Sequence, residues 1–595
     1  MVDYAQAPNL PTMFFDQCDR FGDAPFLWNK RGGKWIPRTW SETADEVVRF
    51  ASGLAAKGIG PGDRVVLVSE NRPEWMIADL AIMSIGAVTV PAYTTNTVAD
   101  HRHILTDSGA KATIVSNRDL AERLLPAAAD TAVEFAILID GMPEDGKSDV
   151  PVLSLADLMT GDDTGAVRER ARDLDRGAMC CIIYTSGTGG VPAGVMLSHG
   201  NIICNTLSAE DMLSRLPGFT IGGEIFLSFL PLSHSYEHTT GQFVPISIGA
   251  QVYYAEGFDK LVQNIGEVRP TIMTAVPRLY ETMRARILRA AEQSGGLKQK
   301  MLFKTIAIGK KRYNDPKSLG FCERAIDPLL TKLVRSKVSE RFGGRLKAFV
   351  SGGAPLNQDV AQFFTALGLR ILQGYGQTEA APVISCNYPT LNKLHTVGPP
   401  LEGVEVKIAE DGEILVRGEL VMLGYWNDQD RTAQTVQDGW LHTGDIGQLD
   451  EDGYLMITDR KKDIIVNSGG DNLSPQRVEG IICLEPEIAQ AMVYGDKRPH
   501  LVALITPDPV WMEDWQTQNG AIDGAWNDNP ALRKELQAAL DRVNKKLSVI
   551  ERVRRFIVVD EPFSIENAML TPSMKVRRHI VKEFYGDRLE ALYSK

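Results

Sequence analysis

Short apolar, β-branched runs alternate with helix-length amphipathic segments along much of this chain, a rhythm that restricts the fold to βαβ units with mainly parallel sheets covered by helices. The run at 63–70 (DRVVLVSE) precedes PEWMIADLAIMS, the run at 87–93 (AVTVPAY) precedes ADHRHILTDSG, and ATIVSN follows. The pattern recurs at MCCIIYTSG, EIFLSFLPLSH, AQVYYAE, TIMTAVP, LKAFVSGG and LRILQGYG. Each run ends in a turn of small or polar residues. Ligands of open α/β sheets bind beyond the carboxyl ends of the strands, so an active site is expected from those turns.

From Gly398 the texture changes to short strands with DG turns, GVEVKIAEDGEILVRGE and GQLDEDGYLMITDR, which read as antiparallel hairpins in a β-rich lobe. After DRKKD at 459–463 come further strands (QAMVYG, LVALITP, RFIVVDE) and a helical stretch, ALRKELQAALDRVNKKL, enough for a small separate α+β domain. The expected division is an N-terminal domain over 1–461 and a C-terminal domain over 462–595. With 595 residues and 44% hydrophobic content, the chain can bury more than one core. The stretch 285–340, rich in Lys and Arg and helical in period, reads as a solvated helical insertion.

A formal net charge of −12 has the wrong sign for a dedicated nucleic-acid binder. The seven cysteines are scattered and lack CxxC spacing, which fits a reducing cytosol better than a disulfide framework or a zinc site. The start, MVDYAQAPNLPTMFF, has no basic and apolar leader pattern, and the weakly polar stretch at 80–93 is too short to span a bilayer. A cytoplasmic protein is expected, with any membrane contact peripheral.

The segment YTSGTGGVPAGVMLSHGN at 184–201 follows the strand MCCII and reads as leading into a helix. Its glycines free backbone N–H groups to point into one concavity and its hydroxyls add donors, a cradle for phosphate oxygens. No GK[ST] follows, so it is not a Walker A loop. Alone, it reads more readily as an ordinary flexible turn. It is followed in order by SGGAPL (351–356), GYGQTEAAP (374–382), DGWLHTGDIG (438–447), DRKKD (459–463), NSGGDNLSP (467–475) and LTPSMKVRR (570–578). This ordered set resembles the adenylate-forming superfamily of acyl-CoA synthetases, luciferases and peptide-synthetase adenylation domains. Within it the chain looks most like a bacterial-type long-chain fatty acid CoA ligase, on DGWLHTGDIG running into DRKKD, the LTPSMK ending and the insertion after VPRLYE.

The resemblance implies ATP-dependent activation of a fatty acid to acyl-AMP, then transfer to coenzyme A, with Mg2+ as cofactor. Fatty acid, ATP and coenzyme A would be the partners, and contact with the inner face of the membrane is compatible with them. It also implies roles. Thr188 and Glu379 match the magnesium positions, being hard oxygen ligands. Thr185, Ser186, Gly187, Thr188, Gly189 and Gly190 would cradle the phosphates. Gly352, Gly353 and Ala354 would allow the adenine base close backbone approach, with Tyr375 stacking on it and Gln373, Gly374, Gly376 and Thr378 completing that turn. Asp445 matches the ribose ligand, with Arg460 supplying donors nearby. Lys575 matches the catalytic lysine that a mobile C-terminal domain carries into the adenylation site. His234 would lie beside the substrate carboxylate and Tyr236 would border the acyl pocket. Lys462 would be the hinge, and Gly469 and Gly470 would line the pantetheine passage. The i, i+4 pair His234 and His238 lacks HExxH order and does not read as a metal site.

The chain departs from the family pattern in the phosphate loop. The usual TSGTTGxPKG is TSGTGGVPAG here, so Gly189 replaces a threonine and Ala193 the lysine. A neighbouring cation compensates, or adenylation is slower than in relatives. Two other functions stay open: an acyl-adenylate-forming enzyme delivering to a carrier protein, and a catalytically silent nucleotide- or acyl-binding homologue.

Overall fold

The computed structural model describes residues 7–141, 148–159, 164–185, 191–565, 567–571 and 575–594. The expected βαβ rhythm builds two eight-stranded sheets. One runs Gly424–Tyr425, Ala193–Ser198, Met179–Thr185, Val88–Ala92, Arg64–Val68, Ala112–Val115, Phe135–Leu138 and Val152–Ser154 from edge to edge. The other runs Val383–Cys386, Ile371–Gly376, Ala348–Ser351, Ile272–Ala275, Ile225–Ser228, Gln251–Tyr254, Pro25–Arg31 and Lys34–Thr39. The inner pairings are parallel, and antiparallel pairs occur toward the edges.

One core joins both sheets. It takes Val65 and Leu67 from the first, Phe26, Leu27 and Val252 from the second, and the helix Pro73–Ser84 with them. That helix is buried along its whole length because it is apolar on every side, and Pro73 in its first turn costs no hydrogen bond. Of its two buried charged residues, Glu74 pairs with Arg38 and Arg72 in the first turn, and Asp79 accepts from Gln242 Nε2 at 2.6 Å and pairs with His238 Nε2 at 2.9 Å. Burial opposes charge on His238, but the Asp79 carboxylate prevails and raises the imidazole to about 10. His238 is therefore a core partner of Asp79.

The β-rich lobe is the antiparallel set Glu405–Ile408, Glu413–Arg417, Trp440–Leu449, Val436–Gln437 and Leu455–Arg460. Beyond it, the strands Ile488–Tyr494, Leu501–Pro507 and Val553–Val558 form a sheet with clusters of their own, drawn from Ile465 onward.

The segment at 184–201 leads from a strand into the helix His199–Ser214 as expected, but through a second strand that the sequence pattern did not reveal, and the expectation for 285–340 needs correction. Ala193–Ser198 returns antiparallel along Met179–Thr185, and the helix His199–Ser214 begins only after Ser198 caps it. The run GVMLS is a short apolar stretch, Val195 to Leu197, closed by Ser198, which suits a hairpin arm buried in the sheet. The insertion at 285–340 is helical but not free-standing. Leu302, Thr305, Ile308 and Gly309 are buried on one face of Gly296–Asn314, where a Cβ on Gly309 would come within 2.5 Å of Ala366 Cα. Its Lys and Arg residues conceal a docking stripe of small and apolar side chains.

Candidate active site

The turns at the strand ends converge. Tyr375, at the end of Ile371–Gly376, donates its hydroxyl to Asp445 Oδ2 at 2.6 Å. Burial, then the Asp445 charge, holds the phenol well above its ordinary value, so it stays a donor. Asp445 and Arg460 face each other across the antiparallel strands Trp440–Leu449 and Leu455–Arg460, and Arg460 Nε donates to Asp445 Oδ1 at 3.2 Å. Strand register thus makes a pair of two residues fifteen apart in sequence. Asp445 is presented with both carboxylate oxygens engaged and its backbone N–H tied to Thr443 Oγ1 at 3.1 Å.

Glu379 lies in the single helical turn Thr378–Ala380 and accepts from the hydroxyl of Tyr425 at 2.8 Å on Oε1. Its Oε2 has no protein hydrogen bond among the described residues, which leaves a hard oxygen for a cation. Thr378 Oγ1 bonds Ser235 Oγ at 2.9 Å, joining this turn to the HSYEH segment. There His234 Nδ1 accepts the Tyr236 N–H at 3.1 Å, so the ring carries its proton on Nε2. Burial, then the charge of Lys575, lowers His234 to about 4. It is a neutral imidazole offering one donor.

Tyr236 is anchored against the strand Ala348–Ser351 and the turn that follows it. Its hydroxyl donates to Val350 O at 2.9 Å, and its ring lies where a Cβ on Gly352 would approach it to 3.0 Å. Gly352 is therefore a close-packing glycine, whereas Gly353 has φ +79° and needs its glycine for conformation. Both follow the strand Ala348–Ser351, with Ala354 exposed beside them.

Lys575 is brought to this cluster from the far end of the chain. Its N–H donates to Thr571 Oγ1 at 3.0 Å, and its carbonyl accepts the Thr571 N–H at 2.8 Å, a tight clasp. Its side chain is exposed, and its ammonium stands within electrostatic reach of Arg460, Asp445 and Glu379. Enclosure, then the charge of Arg460, pulls it below the ordinary lysine range, against the opposing pull of Asp445 and Glu379. Lys575, Glu379, Asp445, Arg460 and His234 thus occupy one electrostatic neighbourhood.

Other sequence candidates are placed differently. Ser186, Gly187, Thr188, Gly189 and Gly190 lie outside the described residues. Thr185, just before them, pairs with Ala193 across the hairpin. A Cβ on Gly376 would stand 1.8 Å from Pro382 O and one on Gly374 3.0 Å from Ser385 O, so both glycines serve the pairing with Val383–Cys386. Gln373 bonds through its backbone to Asn387. Lys462 sits in an exposed turn immediately before the C-terminal strands. Gly469 and Gly470 form the exposed tip between Ile465–Val466 and Asn472–Leu473, where Asn467 Oδ1 accepts the N–H groups of Gly469 and Asp471, each at 2.9 Å. Sequence reasoning missed Tyr425 entirely, because nothing local distinguishes it among fifteen tyrosines.

The chain is similar to known proteins along most of its length. The family described as AMP-binding enzyme matches residues 14–426, and that described as AMP-binding enzyme C-terminal domain matches residues 462–595. A long-chain-fatty-acid–CoA ligase of Mycobacterium bovis, FadD15, is 33% identical over 567 residues, covering 95% of this chain and 93% of its own. The peroxisomal long chain acyl-CoA synthetase 6 of Arabidopsis thaliana is 31% identical, covering 94% of this chain and 82% of its own. Among solved structures, the A-PCP didomain of a carboxylic acid reductase from Segniliparus rugosus, in complex with AMP, superposes with TM-score 0.78 at 21% identity, over 99% of this chain and 82% of that one. ATP-bound MatB from Rhodopseudomonas palustris gives TM-score 0.70 at 23% identity, over 98% and 99%.

Proposed function

We propose, from the premise that this chain belongs to the AMP-binding enzymes, that it is a long-chain fatty acid CoA ligase. One fatty-acid carboxylate oxygen attacks the α-phosphorus of ATP, and the bond to the β-phosphate oxygen breaks to release pyrophosphate. Coenzyme A thiolate then attacks the acyl carbonyl, the thioester C–S bond forms, and AMP leaves with the acyl oxygen. The observation that carries the reading is Lys575 in the cleft with Glu379, Asp445, Arg460 and His234. An ammonium placed there can contact both the attacking carboxylate and the α-phosphate, stabilising charge as it moves between them.

The other residues divide the work. Asp445, held by Tyr375 and Arg460, takes the ribose hydroxyls. His234 donates Nε2–H to the substrate carboxylate and, being neutral, does not compete with Lys575 for its charge. The free oxygen of Glu379 suits magnesium, which prefers carboxylate and phosphate oxygens; bound there with Thr188, it would screen the triphosphate from the incoming carboxylate. For the second half-reaction, a turn of the C-terminal domain (462–595) about Lys462 would withdraw Lys575 and bring Gly469 and Gly470 inward, where the absence of Cβ leaves room for pantetheine. Delivery to a carrier protein gains no support from the reductase structures, whose likeness at this identity concerns the fold. Among the described residues no helix is long and apolar enough to cross a membrane, so contact with the inner face would be peripheral.

The test is purified protein with ATP, magnesium, palmitate and coenzyme A, followed for AMP and thioester. Palmitoyl-CoA formed together with AMP supports the reading. AMP release without thioester would point to a different acceptor, and the absence of both would make the chain a silent homologue.

A further inference from the structure

The phosphate loop lacks its lysine, and the fold shows what stands in that region instead. Thr185 pairs with Ala193, Ile183 with Val195, and Val195 in turn with Tyr425 on the edge strand Gly424–Tyr425. Residues directly opposite in antiparallel strands share a face, as do alternate residues of one strand. Ala193, Thr185, Val195 and Tyr425 therefore lie on one face, with Ala193 the diagonal neighbour of Tyr425 at about 7–8 Å. On this face Arg431 covers the Tyr425 ring, its guanidinium carbon 4.2 Å from the centroid. The same ring carries the hydroxyl that bonds Glu379 Oε1 at 2.8 Å. The cation is thus one aromatic ring away from the carboxylate suited to magnesium.

The local structure holds Arg431 in place while leaving its head group uncommitted. Asp428 Oδ1 caps the helix Gln429–Thr435 by accepting the Arg431 N–H at 2.9 Å, and Thr432 Oγ1 accepts the Tyr425 N–H at 2.8 Å. These bonds fix the helix against the strand. Among the described residues the guanidinium has neither a hydrogen bond nor an ion pair. A planar cation stacked on a ring, its donors unspent, is well formed to take phosphate oxygens.

We propose that Arg431 supplies the positive charge missing at Ala193 and binds the β- and γ-phosphates of ATP. The inference rests on the adenylation reading above and adds a residue that reading does not use. It explains how the loop tolerates an alanine: the charge comes across the sheet edge from a helix distant in sequence.

Equilibrium binding of ATP and of AMP to the full-length protein, with magnesium and with EDTA, tests this. Arg431→Ala should weaken ATP on the order of tenfold to a hundredfold, the effect of one charged hydrogen-bonding partner. AMP, which lacks the outer phosphates, should bind within about threefold of wild type. The loss should persist in EDTA, and Ala193→Lys in the Arg431→Ala background should recover affinity for ATP. If ATP and AMP weaken together, Arg431 merely supports Tyr425. If the loss vanishes in EDTA, it acts through Glu379 and the metal. Either result, an unchanged ATP affinity, or no recovery by Ala193→Lys overturns the proposal. Wild-type protein that binds no ATP would instead sink the adenylation reading itself.

Discussion

The hydroxyl of Tyr375 and Oδ2 of Asp445 lie 2.6 Å apart, although 70 positions separate them in sequence. The bond ties a residue expected to serve as a flat platform to the carboxylate proposed to take the ribose. Tyr375→Phe separates the two roles, because the ring remains. The expected outcome is ATP binding weaker by about tenfold, from loss of one hydrogen bond to a charged acceptor, with fold stability nearly unchanged. Titration with a fluorescent ATP analogue measures it, and affinity equal to wild type would assign the tyrosine to stacking alone.

Lys575→Ala should lower adenylation on the order of a hundredfold to a thousandfold, as removal of one preorganised transition-state donor does. Thioester formation from pre-made acyl-adenylate should change little, since the charge contacted by the ammonium moves only in the first step. Pyrophosphate release and single-turnover thioesterification measure the two separately. Equal losses in both half-reactions would remove the lysine from its assigned role.

His101 is buried in the helix Val98–Ser108 with both ring nitrogens unpartnered among the described residues. Burial, then Arg123, lowers it from 6.5 to about 4. The folded form therefore refuses a proton that the unfolded chain accepts. The associated stability is complete above pH 6.5 and is lost as pH falls toward 4. Between pH 7.5 and pH 5 the loss is about 2 kcal/mol. His101→Leu should be near neutral at pH 7.5 and more stable than wild type by about that amount at pH 5, read from urea midpoints. A variant whose stability falls as steeply with acid as the wild type would show that His101 does not titrate in this range.

Lys462→Pro fixes φ and removes a backbone donor at the turn between the Leu455–Arg460 strand and the C-terminal domain. It should slow thioesterification at least about tenfold while leaving adenylation within about twofold, if the domain must turn there between half-reactions. Stopped-flow traces of each step decide. Slowing confined to adenylation, or in neither step, would place the hinge elsewhere.

Much of the site could be read from the chain because its parts are local. Glycine-rich turns, a carboxylate in GYGQTE and a lysine in LTPSMK are features only a few residues long, so they can be recognised without knowing what packs against them. The βαβ rhythm was legible for the same reason: side-chain period and strand length are short-range properties. The strand Ala193–Ser198 inside 184–201 was not legible, because GVMLS pairs with a preceding strand and pairing is a contact that no local propensity encodes.

By itself the sequence determined the order of elements, the two-part organisation and the residue types available at each strand end, since these follow from periodicity and turn chemistry along one stretch of chain. Only the tertiary structure decided which side chains meet. Tyr425 reaches Glu379, Tyr375 reaches Asp445, and Lys575 crosses to the cluster of Asp445, Glu379, Arg460 and His234. The physical reason is that such contacts depend on sheet register and on how the two parts of the chain pack. Both are set by the sum of many buried interactions, so a single residue and its neighbours in sequence do not specify them.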